Sequence, residues 1–427
     1  MSQQTLTIEK LGQRGEGVAQ GADGPVYVAH GVPGDRLVAE VAGERGDIVE
    51  ILAPGEGRVA AFCEWHAICG GCAVQTLAWA AYAEWKRGLV VSALAHAGVA
   101  ADVAPLVDAH GEGRRRATFH ARFARDDRGA ALLEVGFMRA RAHDIVAIDA
   151  CPILAPRMAG AIAAAHAVAE ALKSREKPLD IVVTASDEGL DVDARGTGPL
   201  DFALSQRLVA AAGRLDLARV SNHGEIVIER RAPMLAMGRA RVALPPGAFL
   251  QATRAGEEEL ARLVAAGVGK ARKVADLFSG VGTFALRLAE KAEVHAVESD
   301  APMLAALERA AHGAPGLRET TTEQRDLFRR PLLAGELARF DAVVFDPPRA
   351  GAEAQAKLLA SSGVPCVVAV SCNAQTFARD AKILIDGGYS CESITPVDQF
   401  RHSAHVETVG VFRRAKPKGK ARARLLG

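Results

Sequence analysis

Between residues 248 and about 412, short apolar runs alternate with stretches of helical spacing. The runs are 273–278, 293–297, 341–345 and 366–370, and Met303, Leu304, Leu307 and Ala311 show the helical spacing between two of them. A chain that alternates in this way is predicted to form an α/β, doubly wound, mostly parallel sheet with helices packed on it. Ligands of such sheets bind outside the carboxyl ends of the strands. The residues that directly follow each apolar run are therefore the first candidates for function.

Upstream the pattern changes. Residues 1–57 are punctuated by Gly12, Gly15, Gly17, Gly21, Gly24, Gly31 and Gly34 around short apolar runs, which predicts a small β-barrel. Residues 58–247 read as mixed α+β. A helix is expected over about 77–96, packed against the domain of 248–412, then β-structure over about 118–147, a helix over 162–172 and a hairpin around Glu188-Gly189. Pro245-Pro246-Gly247 marks the expected boundary with the domain of 248–412. The last stretch, 413–427, carries Arg413, Arg414, Lys416, Lys418, Lys420, Arg422 and Arg424 and no acid. On a body that is otherwise mildly acidic, such a tail reads as a polyanion-binding arm or as a solvated tail.

With 427 residues, 49% of them hydrophobic, the chain has enough apolar side chains for several cores. No run is long and apolar enough to span a bilayer, and the N-terminus has no export-signal pattern, so a cytoplasmic protein with no membrane role is expected. Seven cysteines in such a chain point to metal binding or catalysis rather than to disulfides. Cys63, Cys69 and Cys72 cluster in a Gly-containing loop, and Cys151-Pro152 lies downstream. Four thiolates suit zinc or an iron–sulfur cluster, and their spacing does not separate the two.

Three motifs fall at strand ends. Asp276-Leu-Phe-Ser-Gly280-Val-Gly282-Thr follows the first run, where Gly280 and Gly282 let the backbone approach a ligand. Glu298 ends the next run and can accept hydrogen bonds from a ribose diol; by analogy only, Asp326 is expected to play a similar part near an adenine. This loop suits a dinucleotide or S-adenosylmethionine. Asp346-Pro-Pro-Arg349 follows the run 341–345, and its carboxylate can bond the polar edge of a planar substrate. Ser371-Cys372-Asn373 ends the following run and sets a thiol as a nucleophile at the ligand edge. Near the end, His405-Val-Glu407 offers Glu407 as a general base. An NAD-dependent oxidoreductase would use the glycine loop but would leave Cys372 and Glu407 without a joint task. A non-catalytic iron–sulfur RNA-binding protein would use only the barrel, the cysteines and the tail.

Phe249-Leu-Gln251, the 276–283 loop, Asp346-Pro-Pro-Arg349, Ser371-Cys372-Asn373 and His405-Val-Glu407 occur in the order found in the bacterial RNA uridine-5-methyltransferases. The chain resembles that family over most of its length, and best its iron–sulfur, 23S ribosomal-RNA branch; its first 57 residues resemble a TRAM domain, an RNA-binding barrel. The resemblance implies a Rossmann-like S-adenosylmethionine-dependent methyltransferase domain behind an iron–sulfur central domain. Gln251, Phe278, Thr283, Glu298, Asp326 and Asp346 would line the cofactor and uracil site, with Cys372 as nucleophile and Glu407 as base. Cys63, Cys69, Cys72 and Cys151 would hold a [4Fe–4S] cluster. The RNA partner would be ribosomal, with transfer RNA as the alternative, and no obligate protein partner is implied. Two positions depart from the family pattern: Thr253 stands where Asn is usual, and Pro348 where Ala is commoner.

Overall fold

The computed structural model describes residues 2–125, 131–140, 142 and 144–414. The first five strands are β1 (Ser2–Leu11), β2 (Gly17–Gly21), β3 (Gly24–Val28), β4 (Arg36–Ala42) and β5 (Arg45–Ala53). They close into a barrel in the order β1-β2-β3-β5-β4. Inward and outward residues alternate, as a strand's period of two requires: Leu37, Ala39 and Val41 of β4 point inward onto Leu6, Ile8 and Val28. Asp35 ties the barrel to the 55–58 segment by accepting hydrogen bonds from Gly55 N (2.9 Å) and the Arg58 guanidinium (2.5 Å).

Next come α1 (Trp79–His96) and β6 (Val107–Asp108), then the central strands β7 (Arg116–Arg125), β8 (Ala131–Met138) and β9 (Ile145–Ala147). After α2 (Ala161–Leu172) come β10 (Leu179–Ser186) and β11 (Gly189–Arg195), then α3 (Phe202–Arg214), β12 (Arg219–Asn222) and β13 (Glu225–Glu229). The seven strands lie in the order β13-β12-β11-β10-β7-β8-β9. The buried side of α2 is nearly all alanine (Ala161, Ala164, Ala165, Ala169), so the helix packs close over Phe119, Ile181 and Val183.

A hairpin of β14 (Met234–Met237) and β15 (Ala240–Ala243) leads into α4 (Arg254–Val268) and β16 (Lys273–Leu277). The alternation continues through α5 (Ala285–Leu288), β17 (Glu293–Glu298), α6 (Ala301–Gly313), β18 (Thr320–Gln324), α7 (Ala334–Leu337) and β19 (Ala342–Phe345). It ends with α8 (Glu353–Ala360), β20 (Cys366–Ser371), α9 (Ala374–Asp386), β21 (Tyr389–Asp398) and β22 (Glu407–Arg414). The sheet order is β18-β17-β16-β19-β20-β22-β21-β6. β19 and β20 are buried along their whole length, which parallel strands covered on both faces require. β22 runs antiparallel to β20, so its first residues lie at the edge where β20 ends.

Packing does not respect the boundary expected at 247. Val90, Ala93 and Leu94 of α1 belong to the same core as Val343, Phe345 and Phe377, and β6 extends the C-terminal sheet beside β21. Met237 and Val242 of the β14–β15 hairpin pack with Ala306 and Ala310 of α6. The expected basic tail also begins later than Arg413. Arg413 and Arg414 end β22, where they donate to the carbonyls of Gly267 (2.7 Å) and Ala360 (2.6 Å). Lys416 to Arg424 lie outside the described residues.

One buried contact links α1 to the loop after β21. Lys86 Nζ pairs with Asp398 (2.5 Å) and donates to the Phe400 carbonyl (3.1 Å), while the Tyr82 hydroxyl donates to Asp398 (2.6 Å). Both charged side chains are fully buried, a placement that removal of either partner would leave uncompensated. The contact fixes the 398–406 segment, which forms one wall of the site. Among the described residues no helix is long and apolar enough to cross a membrane.

Candidate active site

The strand order reverses between β16 and β19, and a crevice opens there beyond the carboxyl ends of the strands. It forms a cavity of about 530 Å³. Gln251, Phe278, Gly280, Thr283, Glu298, Asp326, Asp346, Cys372 and Glu407 all line it. They come from separate segments, which the sheet edge gathers.

One side is the nucleotide-type half. Phe278 adopts φ +61°, a strained left-handed conformation for a bulky residue, and its ring stands 5.5 Å from that of Phe328. Gly280 is also left-handed (φ +55°), a Cβ there would meet open space, and its N–H donates to Glu298 Oε2 (3.0 Å). Glu298 Oε1 accepts from the N–H groups of Ser299 (2.6 Å) and Asp300 (3.0 Å), so the carboxylate is held rigidly at the end of β17. Asp326 Oδ1 accepts from Phe328 N (2.9 Å). Gly282, expected at the cofactor, does not line the cavity. A Cβ there would lie 2.9 Å from Leu286 and Leu307, so this glycine lets α6 pack close. Phe328, Met303 and Ser299 line the cavity without having been expected. Phe328 is signalled only as an aromatic two residues beyond Asp326.

The other side is the reactive half. The pair Ser371↔Thr408 between β20 and β22 sets the residues just beyond it, Cys372 and Glu407, at the same edge. Glu407 is 3% exposed, not a surface strand residue, and Gln399 Nε2 donates to its Oε1 (3.1 Å). Gln399 also donates to Gln251 Oε1 (2.5 Å), and Gln251 Nε2 donates to Asp346 Oδ2 (3.2 Å). Burial raises the pKa of Glu407 and so does the Asp346 charge; burial likewise raises Asp346. The Cys372 thiol is pushed up to about 11 by burial and by the charges of Glu407 and Asp346, with Arg349 opposing. Arg349 bonds His405 Nε2 (3.0 Å). The packing around that ring and the guanidinium beside it hold His405 to about 4, so it is neutral at physiological pH.

Thr253, one of the two departures, is the N-cap of α4. Its hydroxyl accepts from Gly256 N (2.8 Å) and donates to the Ala109 carbonyl (2.7 Å), as a threonine cap can. Pro348, the other, lines the cavity.

Cys63, Cys69, Cys72 and Cys151 line a separate cavity of about 300 Å³ with Trp65, Phe137 and Ile148. Burial raises the thiols of Cys69 and Cys72, and that of Cys151 to about 11. Among the described residues, however, no three His, Cys, Asp or Glu side chains form a group that could hold a metal ion. The cysteine spacing identifies four donors around one cavity; it does not fix their mutual distances.

The sheet order and the crevice at its reversal are those of an S-adenosylmethionine-dependent methyltransferase. The fold matches the crystal structure of Pyrococcus abyssi tRNA (uracil-54, C5)-methyltransferase in complex with S-adenosyl-L-homocysteine. That match has a TM-score of 0.73 at 24% identity and covers 96% of this chain and 99% of that one. The family model for tRNA (uracil-5-)-methyltransferase matches residues 247–416. An uncharacterized RNA methyltransferase of Brucella suis is 45% identical over 96% of this chain and 98% of its own length. The 23S rRNA (uracil(1939)-C(5))-methyltransferase of Halomonas elongata is 32% identical over 95% of this chain and 88% of its own length. The chain belongs to the RNA uracil-5-methyltransferase family and is an RNA-methylating enzyme that uses S-adenosylmethionine.

Proposed function

We propose that the protein methylates C5 of one uridine in 23S ribosomal RNA through a covalent intermediate. The observation that carries this reading is the register of β20 and β22, which sets a cysteine beside a buried glutamate at the mouth of a cofactor-sized crevice. C5 of uracil is a poor nucleophile toward a methyl sulfonium. Cys372 loses its proton to solvent as Sγ bonds to C6, and the C5=C6 electrons move toward O4 as an enolate. C5 then takes the methyl group, the sulfonium–methyl bond breaks, and S-adenosylhomocysteine leaves. Glu407 accepts the C5 proton, C5=C6 re-forms and the sulfur is expelled. A carboxylate whose pKa is raised suits this last step near neutral pH. Phe278, Gly280, Thr283, Glu298 and Asp326 hold the cofactor, while Gln251 and Asp346 meet the uracil edge. The target must leave its stack to reach the crevice.

The N-terminal barrel is the RNA-binding module in this reading. Gln13 of the barrel lines a second, outer cavity of about 220 Å³ that also touches Cys372, Arg349 and His405, so an RNA strand reaching the thiol passes the barrel. The Halomonas relative's named substrate favours ribosomal RNA, and an RNA-acting enzyme fits the cytoplasm. The Pyrococcus enzyme's named substrate keeps transfer RNA as the second reading. Incubation with labelled S-adenosylmethionine and either 23S ribosomal RNA or bulk transfer RNA, followed by nuclease mapping, decides between them. Label in 5-methyluridine of the ribosomal RNA is expected. Label confined to transfer RNA would overturn the target.

We further propose that Cys63, Cys69, Cys72 and Cys151 hold a [4Fe–4S] cluster. What supports this is a set of four thiols lining one largely apolar cavity. A cubane binds one thiolate at each corner iron, so its ligands stand further apart than the four ligands of one ion. When bound, the cluster would cross-link the 63–72 loop to Cys151; the methyl transfer moves no electron through it. Protein purified without oxygen is expected to carry about four iron atoms per chain. Replacing any one of the four cysteines with Ala is expected to lower that iron content. Stoichiometric zinc without iron would contradict the assignment.

A further inference from the structure

Gln399 is fully buried just past the end of β21 and does not line the crevice, yet it touches both halves of the reactive side. Its side-chain oxygen accepts the main-chain N–H of Thr253 (3.4 Å). A main-chain N–H can only donate, so this contact decides which end of the Gln399 amide is oxygen. The nitrogen then donates twice, to Glu407 Oε1 (3.1 Å) and to Gln251 Oε1 (2.5 Å). The second bond in turn sets the polarity of Gln251. Its oxygen faces inward and its nitrogen faces the crevice, where one hydrogen goes to Asp346 Oδ2 (3.2 Å). The other hydrogen has no partner among the described residues. The Gln251 backbone is held as well: its carbonyl accepts from Arg115 Nε (3.0 Å), and Arg115 is ion-paired with buried Glu257.

We infer that Gln399 is the positioning residue that sets the enzyme's choice of uracil over cytosine. Resting on the uridine-C5 reading, it fixes Gln251 as a donor beside Asp346 as an acceptor. That pair complements the O4 and N3–H edge of uracil. Cytosine presents an N4 amino donor and a bare N3 acceptor at the same edge. It would set donor against donor and acceptor against acceptor, with buried polar groups left unpaired. Gln251 also faces O4, where the enolate charge develops, so the same orientation serves the reaction.

The test uses the full-length enzyme and two RNA fragments that differ only in U or C at the target. The measured quantity is the ratio of kcat/KM values for methyl transfer. A site built to hydrogen-bond its substrate discriminates by about 10⁴-fold or more, and the wild type is expected to do so. Gln399→Met keeps the volume and frees the Gln251 amide to turn, so the ratio should fall by about ten- to a hundredfold. Gln399→Glu should lower it further. A carboxylate accepts from Gln251 Nε2, which turns that amide's oxygen toward the crevice. S-adenosylmethionine affinity, measured by calorimetry, should stay near the wild-type value in both variants and shows that they are folded. If one variant fails to fold, the other decides. A folded variant that loses rate on both RNAs equally and keeps the wild-type ratio would make Gln399 merely structural and overturn this inference alone. A wild type that methylates uridine in no RNA would overturn the underlying reading, and this inference with it.

Discussion

Cys372→Ala is expected to bind S-adenosylmethionine and RNA as the wild type does and to form neither adduct nor 5-methyluridine. The expected loss in turnover exceeds the roughly 10²–10⁴-fold that a positioned general base contributes. The reason is chemical. C5 becomes nucleophilic only when a group adds to C6, and no other cysteine among the described residues lines the crevice. Cys366 is buried inside β20 with its thiol on the Gly267 carbonyl, and Cys391 lies in β21 away from the crevice. His405 cannot substitute, because its ring nitrogen already meets Arg349. Equilibrium binding of the labelled cofactor and of RNA, set beside single-turnover methyl transfer, checks this. Residual turnover within tenfold of the wild type would remove Cys372 from the reaction.

Glu407→Gln is expected to fail later. Cys372 still adds, and the methyl group still transfers, but the C5 proton has no acceptor. Turnover should fall by about 10²–10⁴-fold. The amide keeps the volume and a hydrogen-bonding oxygen for Gln399, so the buried network that holds Gln251 survives the substitution. It also removes a carboxyl whose charge helps to raise the Cys372 thiol, so the thiol pKa should drop and adduct formation should not be slowed. The two substitutions therefore block the reaction on opposite sides of methyl transfer.

The site was legible wherever local pattern and global topology coincide. Apolar runs end at the sheet edge, so Glu298, Asp346 and Cys372 could be placed from position alone; Asp326 follows the polar strand β18 and is reached only by analogy. The pairing of Glu407 with Cys372 rests in the sequence on the family resemblance; the antiparallel register, in which β22 begins where β20 ends, is visible only in the fold. Gly282 shows where such reading stops: next to Gly280 it looks equivalent, but the helix turn points it at Leu307 instead of the ligand. Gln399 carries no signal at all, since its role depends on Thr253 and Gln251, nearly 150 residues away along the chain. The same holds for Lys86 and Asp398, a buried pair from distant segments; the docking of α1 on the catalytic sheet is foreseen in the sequence, but not the pair that fixes it. The four cysteines gave the number of donors but not their geometry, because loop spacing does not determine sulfur positions.

The covalent route is tested most directly by incubating Glu407→Gln with a uridine-containing 23S ribosomal RNA fragment and methyl-labelled S-adenosylmethionine, then separating the products on a denaturing gel. A labelled protein–RNA band that survives denaturation is expected, absent when Cys372 is also replaced by Ala. Turnover of Glu407→Gln at the wild-type rate, with label in free RNA and none in a protein–RNA band, would contradict the pairing of Cys372 as nucleophile with Glu407 as base.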